Sequence, residues 1–172
     1  MGVTFDSLPT AGPTLVTLFV QKLQALGIVL PAFGTGKIAA YFVNGPDAAV
    51  DQECLRVAFQ TITMGMPSQP DSRPVLPSQM QFYAAFGVEL WRSVPTLETG
   101  LPASALPLPL AIQNSGIELV KDAAALVTAA AQIKAEYLLT DYGTPFAIGP
   151  IEPVTPAGGL AANRLQLSFS IL

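Results

Sequence analysis

Asn163-Arg164-Leu165-Gln166-Leu167-Ser168-Phe169-Ser170-Ile171-Leu172 places an apolar side chain at every second residue. Leu165, Leu167, Phe169 and Ile171 take one face, and Arg164, Gln166, Ser168 and Ser170 the other. A period of two predicts a half-buried strand of an antiparallel sheet. Upstream, Gln79–Arg92 reads the same way: Phe82, Ala84, Phe86, Val88 and Leu90 oppose Tyr83, Ala85, Gly87, Glu89 and Trp91, and Pro95 ends the run. In Cys54–Thr63, Leu55, Val57 and Phe59 alternate with Arg56, Ala58 and Gln60. Lys37–Val43, closed by Asn44-Gly45-Pro46, and the weaker Pro145–Ile151 are further strand candidates. Pro153–Gly159 reads as the turn into the closing strand.

Two stretches have helical spacing instead. Leu15, Phe19, Leu23 and Leu26 lie opposite Thr17, Gln21 and Gln24, which predicts a helix over 13–26 with Pro13 in its first turn and Gly27 as its stop. Ser115-Gly116-Ile117-Glu118 has the form of a capping box, followed by a helix to about Leu139. Its expected inner stripe is Val120, Ala123, Val127, Ala130, Lys134 and Leu138, flanked by Ile117, Leu126 and Tyr137. The fold class is therefore α+β. One domain over residues 1–172 holds a single antiparallel sheet of about four to five strands, with two helices packed on one face.

Residues 98–113 fit neither pattern. Pro102, Pro107 and Pro109 exclude a helix interior or a central strand, yet Leu101, Leu106, Leu108, Leu110 and Ile112 are all large aliphatics. Burying each gains about 1.5–3 kcal/mol, while ordering each residue of the segment costs about 1–2 kcal/mol. The segment thus reads as a proline-stiffened arm that needs a preformed surface, on its own domain or on a neighbouring subunit.

Composition narrows the function. Apolar residues are 51% of the chain and charged ones 12%, so the chain can build a large core and still has an unusually apolar surface that calls for a partner. A net charge of −4 argues against a general nucleic-acid binder. The absence of histidine removes the commonest general base and zinc ligand. Cys54 is the single cysteine, so no intrachain disulfide forms, and it reads as a small sheet residue. The apolar piece Leu15–Val20 follows an acidic start, which predicts no secretory leader, and no apolar run is long enough to span a bilayer.

Motifs that could carry chemistry are weak. Gly34-Thr35-Gly36-Lys37 has the wrong glycine spacing for a phosphate loop and is followed by Ile38, so it reads as a turn. Asp47, Asp51 and Glu53 lack the spacing of a calcium loop and read as a solvated acidic face. Arg56 and Glu89 lie on polar strand faces where a cross-strand pair would add roughly 0.2–1 kcal/mol. No catalytic residue, metal or cofactor is expected.

Phe86-Gly87-Val88-Glu89-Leu90-Trp91-Arg92-Ser93-Val94-Pro95 resembles the F-x-V-E-L-x-R-C-x-P stretch of tail terminator proteins of phages infecting actinobacteria. Asp51-Gln52-Glu53-Cys54-Leu55-Arg56-Val57 resembles, in rearranged form, the D-C-E-Q-L-x-V start of a strand in the same family. A Gly/Pro-rich loop from Gly65-Met66-Pro67 onward separates the two stretches, as in the family. Ser93 stands where the family often has cysteine, and Ser78 follows Pro77 where an Arg is common. The resemblance implies a structural, non-enzymatic virion subunit at the tail–neck junction, assembled in the host cytoplasm. It would form a ring, a hexamer, that caps the tail tube. Its partners would be other copies of itself, the tail tube protein and a neck or stopper protein, with DNA passing only through the lumen and no membrane contact. Interface residues would come from the arm (Leu101, Leu106, Leu108, Leu110, Ile112) and from the loop (Met66, Pro67, Val75, Leu76). Asp47, Asp51 and Glu53 would face the lumen. The alternatives are another connector component, a stopper or adaptor, and then a small-ligand binder or enzyme.

Overall fold

The computed structural model describes residues 4–45, 50–65, 81–95, 109–139 and 146–171. The elements run α1 (Leu8–Ala25), β1 (Ala40–Asn44), β2 (Cys54–Gly65), β3 (Gln81–Ser93), α2 (Pro109–Leu139), β4 (Ala147–Ala157) and β5 (Leu160–Ile171). The strands form one five-stranded sheet in the order β1-β2-β3-β5-β4. Both helices pack on one of its faces, so the α+β architecture holds.

That face follows from the alternation. Leu55 and Val57 of β2, Phe86, Val88 and Leu90 of β3, and Leu165, Leu167 and Phe169 of β5 meet Leu15, Phe19 and Leu23 of α1 and Leu126, Ala129, Ala130 and Ile133 of α2. Phe86 lies at the centre, with ring centroids 5.6 Å from Phe59, 5.7 Å from Phe169 and 6.4 Å from Phe42. Edge-on aromatic contacts of this kind add about 0.5–1.5 kcal/mol each beyond burial. α1 lies over β1 and β2, and α2 over β5, β4 and β3.

The sheet is mixed. β1 runs parallel to β2, with Ala40 opposite Leu55 and Asn44 opposite Phe59, and the other three pairings are antiparallel. The expectation of a wholly antiparallel sheet is corrected at this strand. Alternation reports the face a side chain takes, and it is the same for either strand direction. A bulge in β2 at Gln60 shifts the register between Phe59 and Thr61. The extra residue switches parity, so Ile62 and Met64 face the same way as Leu55 and Val57.

Three further boundaries differ from the sequence reading. α1 begins at Leu8 rather than 13 and carries Pro13 inside it, on the exposed side. It ends as expected at Gly27, where Ile28 N–H donates to Leu23 O and Gly27 N–H to Gln24 O, the paired bonds of a Schellman cap. α2 begins at Pro109, so Leu110 and Ile112 belong to its first turn and the arm reading fails for 109–113. A proline at the first helical position lacks only an N–H that the helix leaves unused. Ser115 then lies inside the helix and donates its hydroxyl to Ala111 O at 3.0 Å, so no capping box forms. β4 extends to Ala157, and the turn is the pair Gly158-Gly159, with φ of 58° and 78°. Positive φ at both central residues gives the two-residue hairpin connection that matches strand twist, and glycine takes it without a Cβ penalty. β4 carries Pro150, Pro153 and Pro156 and is an edge strand, where missing N–H donors are tolerated.

Candidate assembly surfaces

The face of the sheet opposite the helices carries the polar half of the alternation. Arg56, Glu89, Arg164 and Glu152 are successive register partners across β2, β3, β5 and β4, so charges of alternating sign cross the sheet. The expected Arg56–Glu89 pair forms, and it is buried: Arg56 is 1% exposed and Glu89 0%. Glu89 Oε2 accepts from Arg56 Nε at 2.8 Å and from Trp91 Nε1 at 2.7 Å, while Oε1 accepts from Arg164 Nε at 2.6 Å. The Arg56 guanidinium lies 5.5 Å from the Trp91 ring centroid, a cation–π contact. Each group is held by the others, so the array is a fixed structural brace.

Beside it, Ala39, Cys54, Trp91, Leu160 and Ala162 form a second, smaller apolar cluster. Cys54 takes the sheet position read for it, with Sγ 3.2 Å from the Tyr41 hydroxyl. Burial pushes the Cys54 thiol up from its ordinary value of 9.0. Burial, then the hydrogen bond to Cys54, also pushes the Tyr41 hydroxyl up. The unfolded chain therefore loses its thiol proton first, and deprotonation favours unfolding. The stability due to a neutral Cys54 is complete below pH 9.0 and is lost as pH rises toward the folded-state value. Denaturant titrations between pH 8 and 10 should show stability falling in the parent and falling less steeply in Cys54→Ala.

A cleft of about 490 Å³ lies between the loop after α1, the end of β3 and the start of α2. Its charged groups are engaged by one another or by the backbone. Arg92 Nε and Nη2 donate to Asp122 Oδ2 and Oδ1 at 2.8 and 3.1 Å, Lys121 Nζ donates to Glu118 at 2.8 Å, and Glu53 accepts from the Ser93 backbone N–H at 2.7 Å. The Arg92–Asp122 bridge fixes α2 to β3, aided by Asn163 Nδ2 on β5 donating to Leu119 O at 2.9 Å. Among the described residues no cluster of three or more metal-ligating side chains occurs.

The apolar surfaces differ between the two helices. α1 turns Thr10, Thr14, Thr17, Gln21 and Gln24 outward together with Pro9, Pro13 and Ala25, and no large aliphatic is among them. α2 turns Ile117, Val120, Ala124, Val127 and Ala131 outward, all exposed and spaced alternately three and four residues apart. That spacing keeps side chains on one line along a helix and suits packing against a second apolar surface. The expected inner stripe of α2 holds at Ala130, with Leu126 beside it, and is corrected at Val120, Ile117 and Val127. Val120 is 70% exposed, Ile117 45% and Val127 38%, and the inward line is Asp122, Ala125, Leu126, Ala129, Ala130 and Ile133. A second apolar surface lies at the other flank, where Phe5, Leu8, Pro9, Phe42 and Phe59 line a groove of about 320 Å³ with Asn44. Ile62, Met64 and Phe82 are exposed on the same face of neighbouring β2 and β3, and Phe5 stacks edge-on against Phe82 at 5.5 Å.

Of the residues expected at interfaces, Leu110 and Ile112 are exposed in the first turn of α2 (64% and 42%). Leu101, Leu106, Leu108, Met66, Pro67, Val75, Leu76 and Asp47 lie outside the described residues. Asp51 is exposed, and Glu53 is half-buried with its carboxylate engaged by Ser93. The sequence reading missed the groove, because its lining comes from Phe5 ahead of α1 and from α1, β1 and β2, and no local period marks it. It places Val120 and Val127 of the outer line of α2 inward, with Ile117 beside them, and does not single out Ala124 or Ala131. Among the described residues no helix is long and apolar enough to cross a membrane. No protein-family model matches the chain, and no curated protein matches it.

Proposed function

We propose that this chain is a structural subunit that assembles with copies of itself into a ring, as a phage tail terminator does, capping a tail tube and joining it to the capsid neck. The observation that carries the reading is the outward line of α2. A 31-residue helix displays Ile117, Val120 and Val127 to solvent on a chain with only 12% charged residues. Exposed contiguous apolar surface of this kind marks an interaction site. The buried Arg56–Glu89–Arg164 brace supports a geometric role, since it stiffens the sheet that would carry ring contacts. The resemblance of Phe86–Pro95 to tail terminators supplies the kind of ring, and a net charge of −4 suits a lumen through which DNA must slide.

Mass photometry and negative-stain microscopy of the purified protein test this. The expected result is a closed ring of six, which binds the tail tube protein. A chain that stays monomeric at high concentration, alone and with tail tubes, overturns the reading. A ring that binds portal and ignores tube protein reassigns it to a stopper or adaptor.

A further inference from the structure

The geometry points to a head-to-tail joint between copies of this chain, in which the outward line of α2 on one copy seats against the apolar groove and rim around Phe5, Met64 and Phe82 on the next. The assignment rests on the ring reading above and names the two faces it would use. Four observations lead to it. The two apolar surfaces are separate, because α2 covers the β3-β5-β4 side of the sheet whereas the groove lies beside β1 and β2 at the start of α1. Their shapes are opposite: a helix ridge on one side, and on the other a concavity of about 320 Å³. The ridge carries Val120 at 70% exposure, and the rim carries Phe5 at 51% and Met64 at 61%. Finally, beyond its first turn, where Leu8 and Pro9 line the groove, α1 exposes Thr10, Pro13, Thr14, Thr17, Gln21, Gln24 and Ala25 and presents no large aliphatic side chain that would continue either surface.

Coverage selects the occupant. A two-fold pairing of α2 on α2 hides one apolar surface in each copy and leaves the other wet. A heterologous joint hides both in every copy, and such joints close into rings when the rotation permits. With a large side chain taken as roughly 150–200 Å², the exposed fractions come to roughly 200–300 Å² on the ridge and roughly 300–400 Å² on the groove and its rim. One joint then buries on the order of 500–700 Å² before backbone and polar rim are included, about half of the smallest specific interfaces, at roughly 1,200 Å². The ridge alone, paired with a small partner, falls well short of that.

The experiment uses two charge variants of the full chain, Val120→Asp and Met64→Asp. Both side chains are mostly exposed, so each variant should keep the parent's circular-dichroism spectrum and still unfold cooperatively, at a melting temperature lowered only by the loss of association. Alone, each should run as an 18.0 kDa monomer where the parent forms a ring. Mixed one to one, they should form a particle of twice that mass and no larger. The intact ridge of Met64→Asp can seat in the intact groove of Val120→Asp, and both free ends are then blocked. A disulfide arm checks the contact directly. Val120→Cys mixed with Met64→Cys should cross-link, and neither should cross-link alone, with Cys54 silent because it is buried. If the parent forms a ring but the mixture stays monomeric, or if Val120→Cys links to itself, the joint is wrong and the ring reading survives. If the parent never associates, the ring reading falls and takes the joint with it.

Discussion

Replacing Glu89 with Ala is expected to lower the unfolding free energy by about 3–5 kcal/mol, the usual cost of removing one partner from a buried ion pair. The Glu89 carboxylate is fully buried and accepts hydrogen bonds from Arg56, Trp91 and Arg164. Its loss leaves the 1%-exposed Arg56 charge without its carboxylate and the Trp91 N–H without its acceptor. Arg164, at 24% side-chain exposure, can turn toward water and recover part of its share. Arg56 has no such exit. The double replacement Arg56→Met with Glu89→Leu should therefore cost less than Glu89→Ala alone, because it removes the buried cation together with its buried carboxylate. Urea unfolding followed by tryptophan fluorescence reads both. A loss below about 1 kcal/mol for Glu89→Ala, within the range of an exposed pair, would show that water reaches this array.

The second large effect comes from one substitution made at two helical glycines, with opposite signs expected. Gly12 is buried in α1 against β1, and a Cβ there would come within 2.3 Å of Cδ2 and Cε2 of Phe42. No rotamer of the new methyl relieves this. Either the Phe42 ring, which packs toward Phe86, must leave its place or α1 must lift from the sheet. Such overpacking costs about 1–3 kcal/mol, more than the roughly 0.5–1 kcal/mol that alanine gains over glycine in a helix. Gly12→Ala should destabilise by about 1–2 kcal/mol net of these opposing effects. Gly116 lies in α2 with nothing within 4 Å of its Cβ position. Only the propensity gain operates there, and Gly116→Ala should stabilise by about 0.5–1 kcal/mol. Equal shifts of the same sign in thermal unfolding would mean that α1 does not approach β1 this closely.

The strands were the legible part of the sequence. β3 and β5 alternate without interruption, and the register that follows sets Arg56 opposite Glu89 and Glu89 opposite Arg164. Direction was not legible for β1, since parallel and antiparallel pairing leave the same residues on the same face. In α2 the expected stripe joins the large Val120 and Val127, with Ile117 beside them, to Ala123 and Ala130, while a second line richer in alanine runs through Ala125, Ala129 and the same Ala130. Size favours the first as the core. The fold buries the second, with Leu126 and Ile133, because small side chains let the helix approach the sheet and because Asp122 on the same side meets Arg92. A partner 30 residues away decides that choice, and no local period encodes it. Start positions were lost for a simpler reason. Pro13 reads as the first turn of a helix and Pro109 as part of a non-helical arm, whereas α1 carries the one inside and α2 opens on the other.

The three prolines of β4 have a consequence for behaviour in crowded cells. They strip N–H donors from one margin of the sheet, and the opposite margin, β1, is only five residues long. A fibril needs two open margins per molecule, so that each recruit can template the next. Here a stray pairing can form once, β1 against β1, and then stops for want of a second template. The margins of the sheet thus limit strand-to-strand stacking even where large apolar side chains reach the surface.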